Sequence, residues 1–122
     1  QLNNYLADVR HQLRVFSQEG KTITIWAVND ILRRLLDGFK LPKGCIIVDA
    51  DPRRKDDLSE DGIIVSQPEE QINHIRNSDV LIISAARYQR SICSWIEEKV
   101  GVKFTEEKLI VLGGAAKENT LT

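Results

Sequence analysis

Several side chains that can bind a small molecule stand directly after apolar runs of this sequence. Carboxylates can accept hydrogen bonds from sugar hydroxyls, an arginine can hold a phosphate through two parallel hydrogen bonds, and a tyrosine can stack on a ring. The candidate ligand-binding residues are Ala27, Asn29, Asp30, Asp49, Asp51, Ser84, Arg87 and Tyr88. No residue is predicted to be catalytic or to bind a metal, because no nucleophile pattern such as G-x-S-x-G and no metal-ligand spacing is present.

Some of these candidates also have a purely structural interpretation. Asp49 can accept hydrogen bonds from ribose hydroxyls, or it can form a turn after its strand. Tyr88 can stack on a ligand ring, or it can be the first core residue of the helix that follows. The basic run 53–55 can hold a phosphate, but Asp56 and Asp57 follow it and can neutralise it, which favours a solvated charged loop.

The turn after the first predicted strand lacks the glycines of a dinucleotide-binding turn. G-x-G-x-x-G permits a tight bend and lets a pyrophosphate approach the backbone, whereas residues 26–32 contain no glycine. We expect Asp30 to cap the following helix with its carboxylate, which would occupy amide donors that a phosphate needs and repel its charge. The sequence therefore argues against ordinary binding of NAD or FAD.

The elements that must position these residues alternate between strands and helices. Strands are predicted over residues 21–27, 45–48, 63–65, 80–84 and 109–112. They are apolar throughout, which is typical of a parallel sheet covered by helices on both faces. We therefore predict an α/β fold with a doubly wound, mostly parallel, five-stranded Rossmann-like sheet in the order 3-2-1-4-5. The candidate residues would then meet in a crevice beyond the carboxyl ends of the strands, where the strand order reverses.

An amphipathic helix is predicted before the first strand. Its apolar residues are spaced like a heptad seam, and Gly20 is expected to end it; the seam comprises Leu2, Leu6, Val9, Leu13 and Phe16. Because so short a coiled coil is marginal alone, the seam must pack on this domain, on a second copy or on an upstream domain. The predicted organisation is a linker or association helix over 1–20, a Rossmann-like domain over 21–114 and a tail over 115–122.

Composition restricts the class of protein. A formal charge of −1, from 17 basic and 18 acidic residues, provides no broad cationic surface for nucleic acid. Neither a signal-like start nor an apolar run of about 20 residues is present, so we expect neither secretion nor a membrane partner, but a cytoplasmic protein with reduced cysteines. The absence of methionine, even at position 1, suggests a piece excised from a larger chain.

Short motifs in chain order carry a resemblance to a known family. They are Glu19-Gly-Lys-Thr-Ile-Thr-Ile-Trp-Ala27, Cys45-Ile-Ile-Val-Asp49 with Asp51-Pro52, Ser66-Gln-Pro68-Glu-Glu70, and Asp79-Val-Leu-Ile-Ile-Ser84 with Tyr88 and Ile92. This series resembles the C-terminal domain of sugar C-methyltransferases, and it is similar to small Rossmann-like modules of other bacterial sugar-modifying proteins.

The resemblance implies a non-catalytic accessory domain that helps to hold a nucleotide-linked deoxysugar. S-adenosylmethionine would be bound by a missing upstream domain, with residues 2–18 as the linking helix, and no cofactor is expected on this chain itself. Two alternatives stay open. The chain could be a structural module that dimerises through its heptad helix and has a degenerate nucleotide site, or a nucleotide-dependent reductase with an unusual turn.

Overall fold

The computed structural model describes residues 1–113, which form a parallel sheet between two layers of helices. The helices are α1 (Leu2–Gln18), α2 (Asp30–Leu36), α3 (Ile72–Arg76) and α4 (Gln89–Lys99). The strands are β1 (Ile23–Trp26), β2 (Cys45–Val48), β3 (Val80–Ile83) and β4 (Leu109–Val111). Short 3-10 turns occupy Pro52–Arg54, Ser59–Asp61, Pro68–Gln71, Ala86–Tyr88 and Glu106–Lys108.

All strand pairs are parallel, in the order β2-β1-β3-β4. Successive side chains of a strand point to opposite faces, so each apolar strand contributes to two cores. Ile25, for example, packs with α1 and α2, whereas Leu81 and Ile83 pack with α3 and α4. The expectation of a parallel α/β sheet covered on both faces is therefore confirmed.

The predicted count of five strands and the order 3-2-1-4-5 are wrong, because residues 63–65 form no strand. In β2, alternate main-chain groups point away from β1, and Ser66 uses two of them. Its amide donates to the Ile47 carbonyl (3.1 Å) and its carbonyl accepts from the Asp49 amide (2.9 Å), which makes a single parallel bridge beside Val48. Extending this bridge would require Ile64 to pair with the Cys45 carbonyl and the Ile47 amide.

The 63–65 segment instead bonds to the charged loop before it. The Ile63 amide donates to Leu58 (3.2 Å) and the Val65 amide to Lys55 (3.1 Å), while Val65 is buried. Ile64 is left 69% exposed beside the edge of β2. The apolar run thus gains its burial and hydrogen bonds from a loop rather than from a ladder, which a sequence pattern does not distinguish.

The N-terminal helix packs on its own domain. Leu6, Val9 and Leu13 are at most 2% exposed and belong to the same core as α2. Arg10 fixes the contact further, since its guanidinium donates to the main-chain carbonyls of Leu35 (2.8 Å) and Arg34 (2.6 Å), at the end of α2. The three central residues of the seam are therefore buried within this chain, and its end residues Leu2 and Phe16 are half-buried against the same core. Association through α1 cannot use these three central residues.

Two further sequence predictions concern the C-terminal tail and the absence of a membrane-spanning segment. The proposed tail, 115–122, and the last residue of the proposed 21–114 domain lie outside the described residues. Within residues 1–113, no helix has the length and apolarity needed to cross a membrane.

Candidate ligand-binding crevice

A crevice of about 830 Å³ opens beyond the carboxyl ends of β1 and β3. From β1 the chain crosses to β2 on one side, and from β3 it crosses to β4 on the other, so the strand order reverses between these two strands. Ligands of open parallel sheets bind at such a reversal, and the volume is in the range of small-molecule sites. The position predicted for the site is thus present in the fold.

The turn after β1 is bent by a residue that is not glycine. Ala27 has a φ of +89°, in the left-handed region that alanine rarely adopts. Ser84, buried at the end of β3, supports this conformation: its amide donates to the Trp26 carbonyl (3.0 Å), and its hydroxyl lies within hydrogen-bond distance of the carbonyls of Trp26 (3.0 Å) and Ala27. The Ser84 hydroxyl therefore holds the turn in place.

Asn29, not Asp30, caps α2, so the expected cap was wrong by one residue. The Asn29 Oδ1 accepts from the Leu32 amide (3.1 Å), and its Nδ2 donates to the Ser84 carbonyl (2.9 Å), which joins the β1 turn to the end of β3. An amide can perform both tasks because it carries an acceptor and a donor, whereas a carboxylate can only accept. The Asp30 side chain is fully exposed, lies 3.6 Å from Arg33 and does not line the crevice.

Asp49 ties the ends of β1 and β2 together. One carboxylate oxygen accepts from the Val28 amide (2.8 Å) and the other from the Asp51 amide (2.8 Å). Each oxygen keeps further acceptor capacity, because a carboxylate has about four lone-pair positions. Asp49 lines the crevice, and both interpretations of it made from the sequence are therefore compatible with its position.

Asp51 forms ion pairs with two arginines on this side of the crevice. Its carboxylate contacts Arg53 (3.0 Å) and Arg54 (3.9 Å), and hydrogen bonds from the Arg53 side chain and amide lower the pKa of Asp51 from its ordinary value. Arg54 also pairs with Asp57 (3.2 Å). Arg53 and Arg54 are thus paired with carboxylates, which agrees with a charged loop, but Asp51 and Asp57 are the partners rather than Asp56 and Asp57. Arg54 also lines the crevice.

The opposite wall is aromatic and cationic. The guanidinium carbon of Arg87 lies 5.3 Å from the centre of the Tyr88 ring, which is 54% exposed. Trp95 lines the same wall and meets Trp26 edge to face, with ring centres 5.5 Å apart. Within residues 1–113, no carboxylate lies within 4.0 Å of the Arg87 guanidinium, in contrast to Arg54.

All candidate ligand-binding residues except Asp30 line the crevice. Trp95 also lines the crevice but is not among the residues predicted from the sequence, although a signal was present. Ile92 and Trp95 come four and seven residues after the predicted site residue Tyr88, which immediately precedes α4, and this spacing is typical of one helical face. Pro68 and Glu69, which also line the crevice, gave no comparable signal because they come from a separate loop.

The two cysteines lie away from the crevice lining, and burial raises the pKa of both thiols. The pKa of Cys45 reaches about 12. The pKa of Cys93 is raised by burial and, to a smaller extent, by the nearby Glu97 carboxylate. Both are free thiols. Within residues 1–113, no group of three or more histidine, cysteine or carboxylate side chains is arranged to bind a metal ion.

Comparisons of the chain with protein-family models, with curated proteins and with solved structures each found no match.

Proposed function

We propose that this chain is a non-catalytic, Rossmann-like binding domain whose crevice helps to hold a nucleotide-linked sugar. The observation that carries the proposal is the wall formed by Arg87, Tyr88 and Trp95 at the point where the strand order reverses. A guanidinium suits a phosphate, and exposed aromatic faces suit a nucleobase or the apolar face of a sugar ring.

The opposite side of the crevice supports a role in binding. The polar atoms of Asn29 and Ser84 are engaged with the backbone of the turn, so these side chains maintain the shape of the site. Asp49 is held in place by two amides and still offers lone pairs toward the crevice. A fixed carboxylate of this kind is suited to accept hydrogen bonds from sugar hydroxyls.

The wider assignment rests on the resemblance to sugar C-methyltransferases. On that proposal the chain belongs to a larger, bacterial and cytoplasmic protein, in which another domain binds S-adenosylmethionine and carries out methyl transfer. The burial of the α1 seam against α2 does not favour the alternative of dimerisation through that seam.

A thermal-shift titration tests the proposal. The compounds are nucleoside diphosphates, nucleotide sugars, NAD and S-adenosylmethionine, each added to the unaltered chain. A ligand present at 100 times its Kd adds about 2.7 kcal/mol to the free energy of unfolding. For a chain of this length that raises the midpoint by on the order of 10 °C.

Arg87→Ala is expected to reduce the response to nucleotide sugars. Arg90→Ala is the matched control, because Arg90 is an exposed arginine nearby that does not line the crevice. No response to any compound would contradict the proposal and favour a structural module. A response to NAD alone would favour the reductase instead.

A further inference from the structure

We infer that the phosphate groups of the bound nucleotide lie on the α4 side of the crevice, at Arg87, and that Ala27 and Asp49 keep them away from the turn after β1. This inference rests on the proposed function and specifies how the same crevice orients its ligand. It reverses the arrangement of dinucleotide-binding sheets, in which the pyrophosphate lies on the first turn.

Two amide donors of the first turn are already occupied by side chains. The Val28 amide donates to the Asp49 carboxylate (2.8 Å), and the Leu32 amide donates to the Asn29 side chain (3.1 Å). A phosphate entering here would have to displace a charge-assisted hydrogen bond and approach the negative charge of Asp49. Beside the Asp49 carboxylate, the turn therefore favours hydroxyl groups over phosphates.

The backbone of the turn is also covered by a methyl group. A dinucleotide-binding turn has glycine where the pyrophosphate must come close to the main chain. Ala27 adopts the left-handed conformation that suits glycine, yet it carries a Cβ, lines the crevice and packs against the hydrophobic cluster of Trp26 and Trp95. The side chain thus occupies space that a glycine would leave open.

On the α4 side of the crevice, a cationic side chain lies where a phosphate could bind. Arg87 is exposed and lies over the ring of Tyr88, and within residues 1–113 its guanidinium has no carboxylate partner within 4.0 Å. Arg54, the other arginine of the lining, is already paired with Asp57 and Asp51. Arg87 is therefore the group most able to accept a new anion.

These two walls define an orientation for the ligand. Phosphate oxygens would meet Arg87, an attached ring would lie along the aromatic wall, and sugar hydroxyls would face Asp49. Ala27 is then a specificity-determining residue, because it restricts phosphates to one side of the site.

Isothermal titration calorimetry with ADP, GDP, UDP and thymidine diphosphate tests this orientation. The nucleotide that binds the unaltered chain most tightly is then titrated into Arg87→Ala, Arg87→Lys, Ala27→Gly and the control Arg90→Ala. We expect Arg87→Ala to raise the Kd by about tenfold or more, as for the loss of a charge-assisted hydrogen bond. Arg87→Lys should retain part of the affinity, and Arg90→Ala should leave the Kd within about twofold. Ala27→Gly should lower the Kd by more than about twofold, because phosphates can then also reach the turn.

The outcomes separate the inference from the function on which it rests. A Kd for Ala27→Gly that stays within about twofold would show that the methyl group does not keep phosphates from the turn, and it would overturn the inference. An unchanged Kd for Arg87→Ala would overturn it as well, while nucleotide binding by the chain would stand. If the unaltered chain binds none of the four diphosphates, both the inference and the proposed function fail.

Discussion

Asn29 offers the sharpest test of how the crevice is built, because one side chain joins two elements. Its oxygen caps α2 through the Leu32 amide (3.1 Å), and its nitrogen donates to the Ser84 carbonyl (2.9 Å) at the end of β3. Asn29→Ala removes both hydrogen bonds, whereas Asn29→Ser keeps a capping oxygen and removes the donor to Ser84. The two variants therefore separate the cap from the bridge.

The expected magnitudes follow from these two contacts. Loss of an N-cap costs about 1 kcal/mol. Loss of the partly buried hydrogen bond to Ser84 costs about 1 kcal/mol more. Asn29→Ala should thus lower the free energy of unfolding by about 2 kcal/mol, and Asn29→Ser by about 1 kcal/mol, since Ser and Asn cap helices about equally well.

Urea unfolding followed by far-UV circular dichroism measures both values, and an unchanged m-value is required for the comparison. Equal losses for the two variants would contradict the division into cap and bridge. A loss below about 0.5 kcal/mol for Asn29→Ala, the range of an ordinary surface substitution, would refute the reasoning as a whole.

Three further predictions address the core, the sheet edge and the thiols. Leu13→Ala should lower the free energy of unfolding by about 3 kcal/mol without changing the mass measured by light scattering. The control Gln12→Ala, at an exposed position, should change the free energy of unfolding by less than about 0.5 kcal/mol. Dissociation of a dimer by Leu13→Ala would contradict a seam buried within one chain. The Ile47 amide points outward from β2, and within residues 1–113 it has no hydrogen-bond partner, whereas the Asp49 amide donates to the Ser66 carbonyl (2.9 Å). The Ile47 amide should therefore exchange with deuterium faster than the Asp49 amide when both are followed by NMR. Slower exchange at Ile47 would indicate that the edge of β2 is paired. Because burial raises the pKa of Cys45 to about 12, its thiol should react with iodoacetamide at pH 8 far more slowly in the folded chain than in the chain unfolded by urea, and equal rates would contradict the burial. Because the buried thiol resists ionisation, the free energy of unfolding should fall as the pH rises from 9, the ordinary pKa of a thiol, toward 12.

The sequence located the crevice because local patterns determine strands and the place where they end. Asp49 and Ser84 follow apolar runs, and the carboxyl ends of parallel strands meet at one edge of a sheet. Both residues line the crevice as expected. What the pattern did not indicate is that their polar groups bind main-chain atoms of the β1 turn, since these contacts join residues 21 and 57 positions apart.

Local spacing was a poorer guide where two neighbours had similar chemistry. Asn29 and Asp30 both favour a helix cap, and propensity alone does not choose between them. The choice depends on the Ser84 carbonyl, because it needs a hydrogen-bond donor at position 29 and an aspartate side chain has none to offer. This carbonyl comes close to position 29 only when β3 is in place beside β1. In the same way, Tyr88 was open to a ligand or a core role until its 54% exposure placed it on the surface beside Arg87.

By itself, the sequence determined that apolar strands alternate with amphipathic helices in a parallel α/β sheet, because burial on both faces requires that pattern. Only the tertiary structure decided that residues 63–66 contribute a single bridge rather than a strand, since the competing hydrogen bonds to Lys55 and Leu58 depend on the path of a charged loop. It also decided which surface the α1 seam covers. Apolar spacing fixes a helical face, whereas the partner of that face is set by the arrangement of the whole chain, here by α2 and the sheet.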